Sequence, residues 1–115
     1  MEIHNIGKVV GAYASSYTPD SLGDYEIEPL ESKGVEKAWY WYGTVPYEGA
    51  GQLLAFVGGR WVLHDMGHCS CYGPTEHFST ITSYASLDEV AQACSAERVA
   101  EVQPLIDAAR AAGEA

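Results

Sequence analysis

Apolar and polar positions are most ordered in the stretch Lys37-Ala-Trp-Tyr-Trp-Tyr-Gly-Thr-Val45. On an extended chain Trp39 and Trp41 fall on one face, and Tyr40 and Tyr42 on the other. Aromatic residues suit a pleated, half-buried surface, so the stretch predicts a strand over about 37–43. One of its faces anchors the core, and the other is expected to pack as well. Leu53–Val57 and Trp61–His64 flank Gly58-Gly59, whose positive φ values fit a tight two-residue turn. Strands over about 37–43, 52–57 and 60–65 with short connections predict an antiparallel meander. The preceding Val45-Pro-Tyr-Glu-Gly-Ala-Gly51 reads as a turn in which Gly49 and Gly51 take unusual backbone angles.

Elsewhere the pattern is thinner. Val9 to Tyr13 is a short apolar run that predicts a strand, and Thr18-Pro19-Asp20 is turn chemistry. Residues 18–37 read as a loosely held segment, with Tyr25 and Ile27 alternating with acids as a short edge strand. Alternation from Phe78 to Tyr84 predicts a fourth short strand. The period then changes. Ser86 and Glu89 form a capping box, in which each side chain reaches the other residue's amide. Val90 and Cys94 share a helical face; Val99, Val102, Ile106 and Ala109 recur at three and four. Ser95 is placed to cap a second helix, and Pro104 is expected to kink or break it. The expected architecture is α+β in two layers. An antiparallel sheet, a meander of three to five strands, packs against one broken or two short C-terminal helices. Its 115 residues form a single domain, 1–115.

Charge narrows the partners. Six Lys and Arg stand against sixteen Asp and Glu, a formal net charge of -10. Phosphate contacts need clustered bases, so direct nucleic-acid binding is not expected, nor is binding to an anionic membrane. The field of such a chain steers basic partners toward it. Asp20, Asp24, Glu26, Glu28 and Glu31 follow one another with no intervening base and are the candidate partner-binding residues. No secretion signal or membrane-length apolar run is visible, and three cysteines cannot all pair within one chain. Cytoplasmic residence with reduced thiols is the expectation.

The densest candidate chemistry is His64-Asp-Met-Gly-His-Cys-Ser-Cys-Tyr-Gly-Pro-Thr-Glu-His77. His64, His68, Cys69, Cys71 and His77 are ligand types that zinc takes, and Asp65 and Glu76 lie among them. Cys69 and Cys71 would project to the same side of an extended segment. The spacing matches no common zinc finger or ribbon, which need two separated ligand pairs. A cysteine nucleophile is disfavoured, because the acidic surroundings raise a thiol pKa and no base occurs between Arg60 and Arg98. The simplest reading of the run is a packed turn over the sheet, with buried cysteines acting as small hydrophobes. A further option is a cleft for a nucleotide-type small molecule lined by Tyr42, Tyr47, Glu48 and Trp61.

Tyr47-Glu-Gly-Ala-Gly51, Gly59-Arg-Trp61 and the run from His64 to Pro74 together resemble small proteins carried by tailed bacteriophages and prophages. The likeness covers the middle third of the chain. It implies a setting, an accessory phage product in the bacterial cytoplasm, and transfers no functional residue. Small acidic proteins in that setting act by binding a host protein, sometimes by imitating the charge of DNA. The expected function is therefore a non-enzymatic modulator of a basic or nucleic-acid-binding host protein. Zinc binding and small-molecule sequestration stand as alternatives.

Overall fold

The computed structural model describes residues 1–68 and 72–115, with His68 described by its backbone alone. β1 (Glu2–Asn5), β2 (Thr18–Pro19) and α1 (Asp24–Ser32) precede β3 (Val35–Val45), β4 (Glu48–Val57) and β5 (Arg60–His68). α2 (Leu87–Ala93) and α3 (Ala96–Ala111) follow. The fold is α+β. β3, β4 and β5 make the expected antiparallel meander, in sheet order β1-β3-β4-β5. β1 and β2 share the free edge of β3, β1 running parallel to it and β2 antiparallel, so the sheet is mixed.

The alternation in β3 decides where the core sits. Trp39 and Trp41 point with Leu54 and Trp61 toward α2 and α3, against Val90, Val102, Leu105 and Ile106. Tyr40 and Tyr42 point the other way with Leu53, Val62 and Met66. Burying one such ring is worth at most about 4–6 kcal/mol of transfer free energy. Both faces are therefore covered, which corrects the two-layer expectation. The second cover is α1, whose Leu30 and Ile27 pack on Tyr40's face of the sheet, helped by Phe78.

Several local expectations change. The edge strand expected around Tyr25 and Ile27 is α1 instead. Ile27 and Leu30, three apart, turn inward, and the alternation with acids imitated a strand while the helical spacing was hidden beside Pro29. Val9 to Tyr13 is not a strand. Gly11 takes φ 72° there, Gly11–Tyr13 forms one 3-10 turn, and the N-terminal strand lies earlier, at Glu2–Asn5. The strand expected over Phe78 to Tyr84 reduces to a two-way bond between Trp61 and Tyr84, each amide donating to the other's carbonyl at 2.8 Å.

Gly49 and Gly51 are strand residues, and the turn before β4 falls on Tyr47, at φ 69°. The glycines are needed for close approach: a Cβ at Gly51 would lie 2.3 Å from the Trp41 carbonyl oxygen. Ser86 and Ser95 cap α2 and α3 as expected, but the Glu89 carboxylate accepts from Ala85 rather than from Ser86. α3 runs through Pro104 without breaking. The proline leaves the Ala100 carbonyl without its helical donor, and at the next residue the Trp41 indole donates to the Glu101 carbonyl at 2.8 Å.

Candidate functional site

Register builds a cleft at the open end of the meander. Opposed residues share a face of the sheet. Trp41, Gln52 and Asp65 form one row on the α3 side, and Gly43, Ala50 and Gly67 form the next. The second row carries almost no side chain. Val9 and Tyr17 occupy the space above Gly43, and a Cβ there would meet Val9 Cγ2 at 2.6 Å. Ala50 and Gly67 floor a cleft of about 640 Å³, with the Tyr72 hydroxyl reaching to 3.4 Å from where a Gly67 Cβ would stand. Tyr13, Tyr17, Tyr47 and Glu48 line one side, and Tyr72 lines it near Gly67. Glu97, Arg98 and Glu101 of α3 also line it.

The back of the cleft is a polar chain. Arg98 Nη2 lies 3.2 Å from Asp65 Oδ2, and Gln52 Nε2 donates to Asp65 Oδ1. Gln52 is only 5% exposed, and among the described residues its buried Oε1 has no hydrogen-bond partner, nor has the buried Arg98 Nε. Burial pushes the Glu101 carboxyl above the usual range; the Gln52 amide opposes this and the Asp65 charge adds to it. Tyr17 donates its hydroxyl to Glu48, which holds the phenol pKa up. Four carboxylates, Glu48, Asp65, Glu97 and Glu101, thus face the cleft against the guanidinium of Arg98. Tyr47 sits at its mouth, 86% exposed and in a left-handed conformation that costs a non-glycine residue about 1–3 kcal/mol.

The proposed small-molecule residues divide. Tyr47 and Glu48 line this cleft. Trp61 does not: it is buried between Phe56 and Trp39, with ring centroids 4.9 and 6.0 Å away. Tyr42 faces the opposite side of the sheet, where burial and the nearby Asp20 and Glu26 push its phenol up to about 12. It lines a second hollow of about 560 Å³ beside Asp20, Tyr25, Glu26 and Thr75. Gln52, Asp65, Arg98 and Glu101 were missed as cleft residues. The signal was present in part, since the two-residue turn at Gly58-Gly59 fixes Gln52 opposite Asp65 and Ala50 opposite Gly67.

The ligand-rich run is dispersed where it is described. His64 Nε2 lies 2.8 Å from the Pro74 carbonyl, and because a carbonyl only accepts, that nitrogen carries the proton. Burial lowers the His64 pKa, and its ring packs edge-on to Phe78. Asp65 is taken by Gln52 and Arg98, His77 tilts against Tyr72, and Glu76 accepts from the Gly73 amide at 3.2 Å. Among the described residues, no group of three or more His, Cys, Asp or Glu side chains is arranged to hold a metal ion. Cys69, Cys71 and the His68 side chain, the rest of the zinc set, lie outside the described residues. Pro74 and Thr75 are buried, and the Thr75 hydroxyl donates to the Glu26 carbonyl, tying this turn to α1.

Asp20, Asp24, Glu26, Glu28 and Glu31 lie on or just before α1. Asp24, Glu28 and Glu31, at i, i+4 and i+7, form an exposed stripe. Tyr25 beside them is 89% exposed. Among the described residues, no ion pair engages any of the five acids. No described helix is long and apolar enough to cross a membrane. In comparison with known proteins, no family model, no curated protein and no solved structure matches the chain.

Proposed function

We propose that this protein is a non-enzymatic binding module that docks a basic protein on the acidic face of α1. The observation that carries the reading is the uncompensated stripe Asp24, Glu28 and Glu31 beside the exposed Tyr25. Asp24 in the first turn suits the helix dipole, but Glu28 and Glu31 do not favour their own helix. Like charges at i, i+3 and i+4 repel, and Glu31 stands in the last turn, where the helix dipole disfavours an anion and the nearest base is Lys33 at the C-cap. A surface that keeps such a cost suits selection for binding rather than for stability. The hollow beside it, with Asp20, Glu26 and Glu76 among its lining, extends the negative field. With a net charge of -10, encounter with a basic surface would be steered over long range.

The likeness to phage accessory proteins favours a bacterial host protein as the partner, one that itself binds nucleic acid. Immobilised protein would then capture that partner from bacterial lysate, and DNA would compete with it. Capture would weaken steeply between 50 and 500 mM salt, on the order of a Debye-length change from about 14 to 4 Å. An Asp24→Lys, Glu28→Lys variant that still folds would lose it. Equal capture by the variant, or insensitivity to salt, sinks the proposal. The zinc reading rests on Cys69 and Cys71. Metal analysis of protein purified without added metal tests it separately.

A further inference from the structure

The geometry points to a second binding site on the opposite face of the sheet from α1: the cleft over Ala50 and Gly67 takes the guanidinium head of a ligand, between tyrosine rings and acceptors from Glu48, Gln52 and Glu101. The inference does not depend on the partner proposed for α1.

Its first support is space. The row Gly43, Ala50, Gly67 carries almost no side chain at this end; among the described residues Val9 and Tyr17 fill the Gly43 position, and the Tyr72 hydroxyl touches the Gly67 position. The remaining hollow, about 640 Å³, falls within the ordinary range of small-molecule sites. The second support is an orphaned acceptor. Gln52 is 5% exposed and contributes to the cleft wall. Its Nε2 donates to Asp65, and among the described residues its buried Oε1 has no donor. A buried unpaired carbonyl is destabilising, and a donor-bearing ligand that pairs with it removes that cost.

The ligand's chemistry follows from the lining. Glu48, Asp65, Glu97 and Glu101 outnumber Arg98, so phosphates and other anions are repelled. A nucleotide therefore suits this cleft poorly. Tyr13, Tyr17, Tyr47 and Tyr72 line the cleft, and aromatic rings are the side chains on which a cation stacks. Guanidinium fits better than ammonium, because it presents five N–H donors in a plane and stacks on aromatic rings. Glu48 accepts from Tyr17 through Oε1, and its second oxygen adds acceptor capacity at the rim.

The test titrates the whole protein with agmatine, putrescine and AMP, followed by amide NMR shifts and calorimetry. Agmatine should give saturable shifts centred on Ala50, Gln52 and Gly67, at least fivefold tighter than putrescine, and AMP should give none. Glu48→Gln, at an exposed rim position, should weaken agmatine at least fivefold with an unchanged melting temperature. Ala50→Leu, which fills the floor, should abolish binding while a cooperative melt shows the variant folded. No saturable shift with up to 10 mM agmatine, equal binding of putrescine, preference for AMP, or unchanged binding in both variants overturns the assignment. A capped pentapeptide with a central arginine separates the sources of the guanidinium. Tighter binding of the peptide assigns the cleft to a protein side chain, and tighter binding of agmatine assigns it to a free small molecule.

Discussion

Trp41 Nε1 donates a hydrogen bond of 2.8 Å to the Glu101 carbonyl, joining the central strand to the turn of α3 that precedes Pro104. The same turn carries Glu101's carboxyl into the cleft, so one bond sets both the packing of the helix and the back wall of the site. Trp41→Phe keeps an aromatic ring but loses the donor and leaves a void. It should cost about 2–4 kcal/mol in urea unfolding. Trp39→Phe is the control. Trp39 lies on the same face and stacks on His4. A Trp41 variant no less stable than the Trp39 variant would contradict the role of this bond.

Two neighbouring glycines should respond differently. Gly51→Ala drives a methyl to 2.3 Å from the Trp41 carbonyl oxygen and 2.9 Å from Met66 Cε, so the strands must separate. A loss of more than about 2 kcal/mol is expected. At Gly67 the nearest atom, the Tyr72 hydroxyl, is 3.4 Å from a new Cβ, so Gly67→Ala should change stability by less than about 1 kcal/mol. Chemical denaturation of both variants checks the contrast.

Glu31→Lys separates stability from function on α1. A cation in the last turn meets the helix dipole favourably, and melting should show a gain of about 0.3–1 kcal/mol. Capture of the basic partner should fall in the same variant. A stability loss, or undiminished capture, argues against the reading of the acidic stripe.

His64 makes the fold acid-sensitive. Burial lowers its pKa in the folded chain, so the unfolded chain takes up the proton first as the pH falls. The stability held by the neutral ring is complete above about pH 6.5 and is lost as the pH drops through that value toward the folded pKa. Glu101, raised by burial, acts with the opposite sign. The comparison is therefore between wild type and His64→Gln, by urea titration at pH 7.5 and 5.5. The wild type should lose more stability on acidification than the variant; equal losses would remove His64 as the cause.

Tyr47→Gly relieves the left-handed backbone at the cleft mouth. Stability should rise by about 1 kcal/mol while agmatine binding weakens. A variant that gains stability and binds unchanged would show that the ring plays no part in the site.

The sequence by itself determined the meander, the separation of Trp39 and Trp41 from Tyr40 and Tyr42, and the caps at Ser86 and Ser95. Each is written in a few consecutive residues, as a period of two, a glycine pair or a side chain three residues from its amide. It also marked the acids from Asp20 to Glu31, while the cleft it proposed from Tyr42, Tyr47, Glu48 and Trp61 is not one cleft in the fold. The tertiary structure decided that Asp24 to Glu31 ride on a helix, because Ile27 and Leu30 find their apolar partners in the face of Tyr40, Leu53 and Val62. It decided that Trp61 belongs to the core and Tyr42 to the other face. It also decided that β1 joins the sheet in parallel. The cleft was the least legible part. Its floor depends on three strands in register, and its back wall joins Gln52 and Asp65 to Arg98 and Glu101, far along the chain. Such pairings are fixed by packing α3 on the sheet, which no local pattern records.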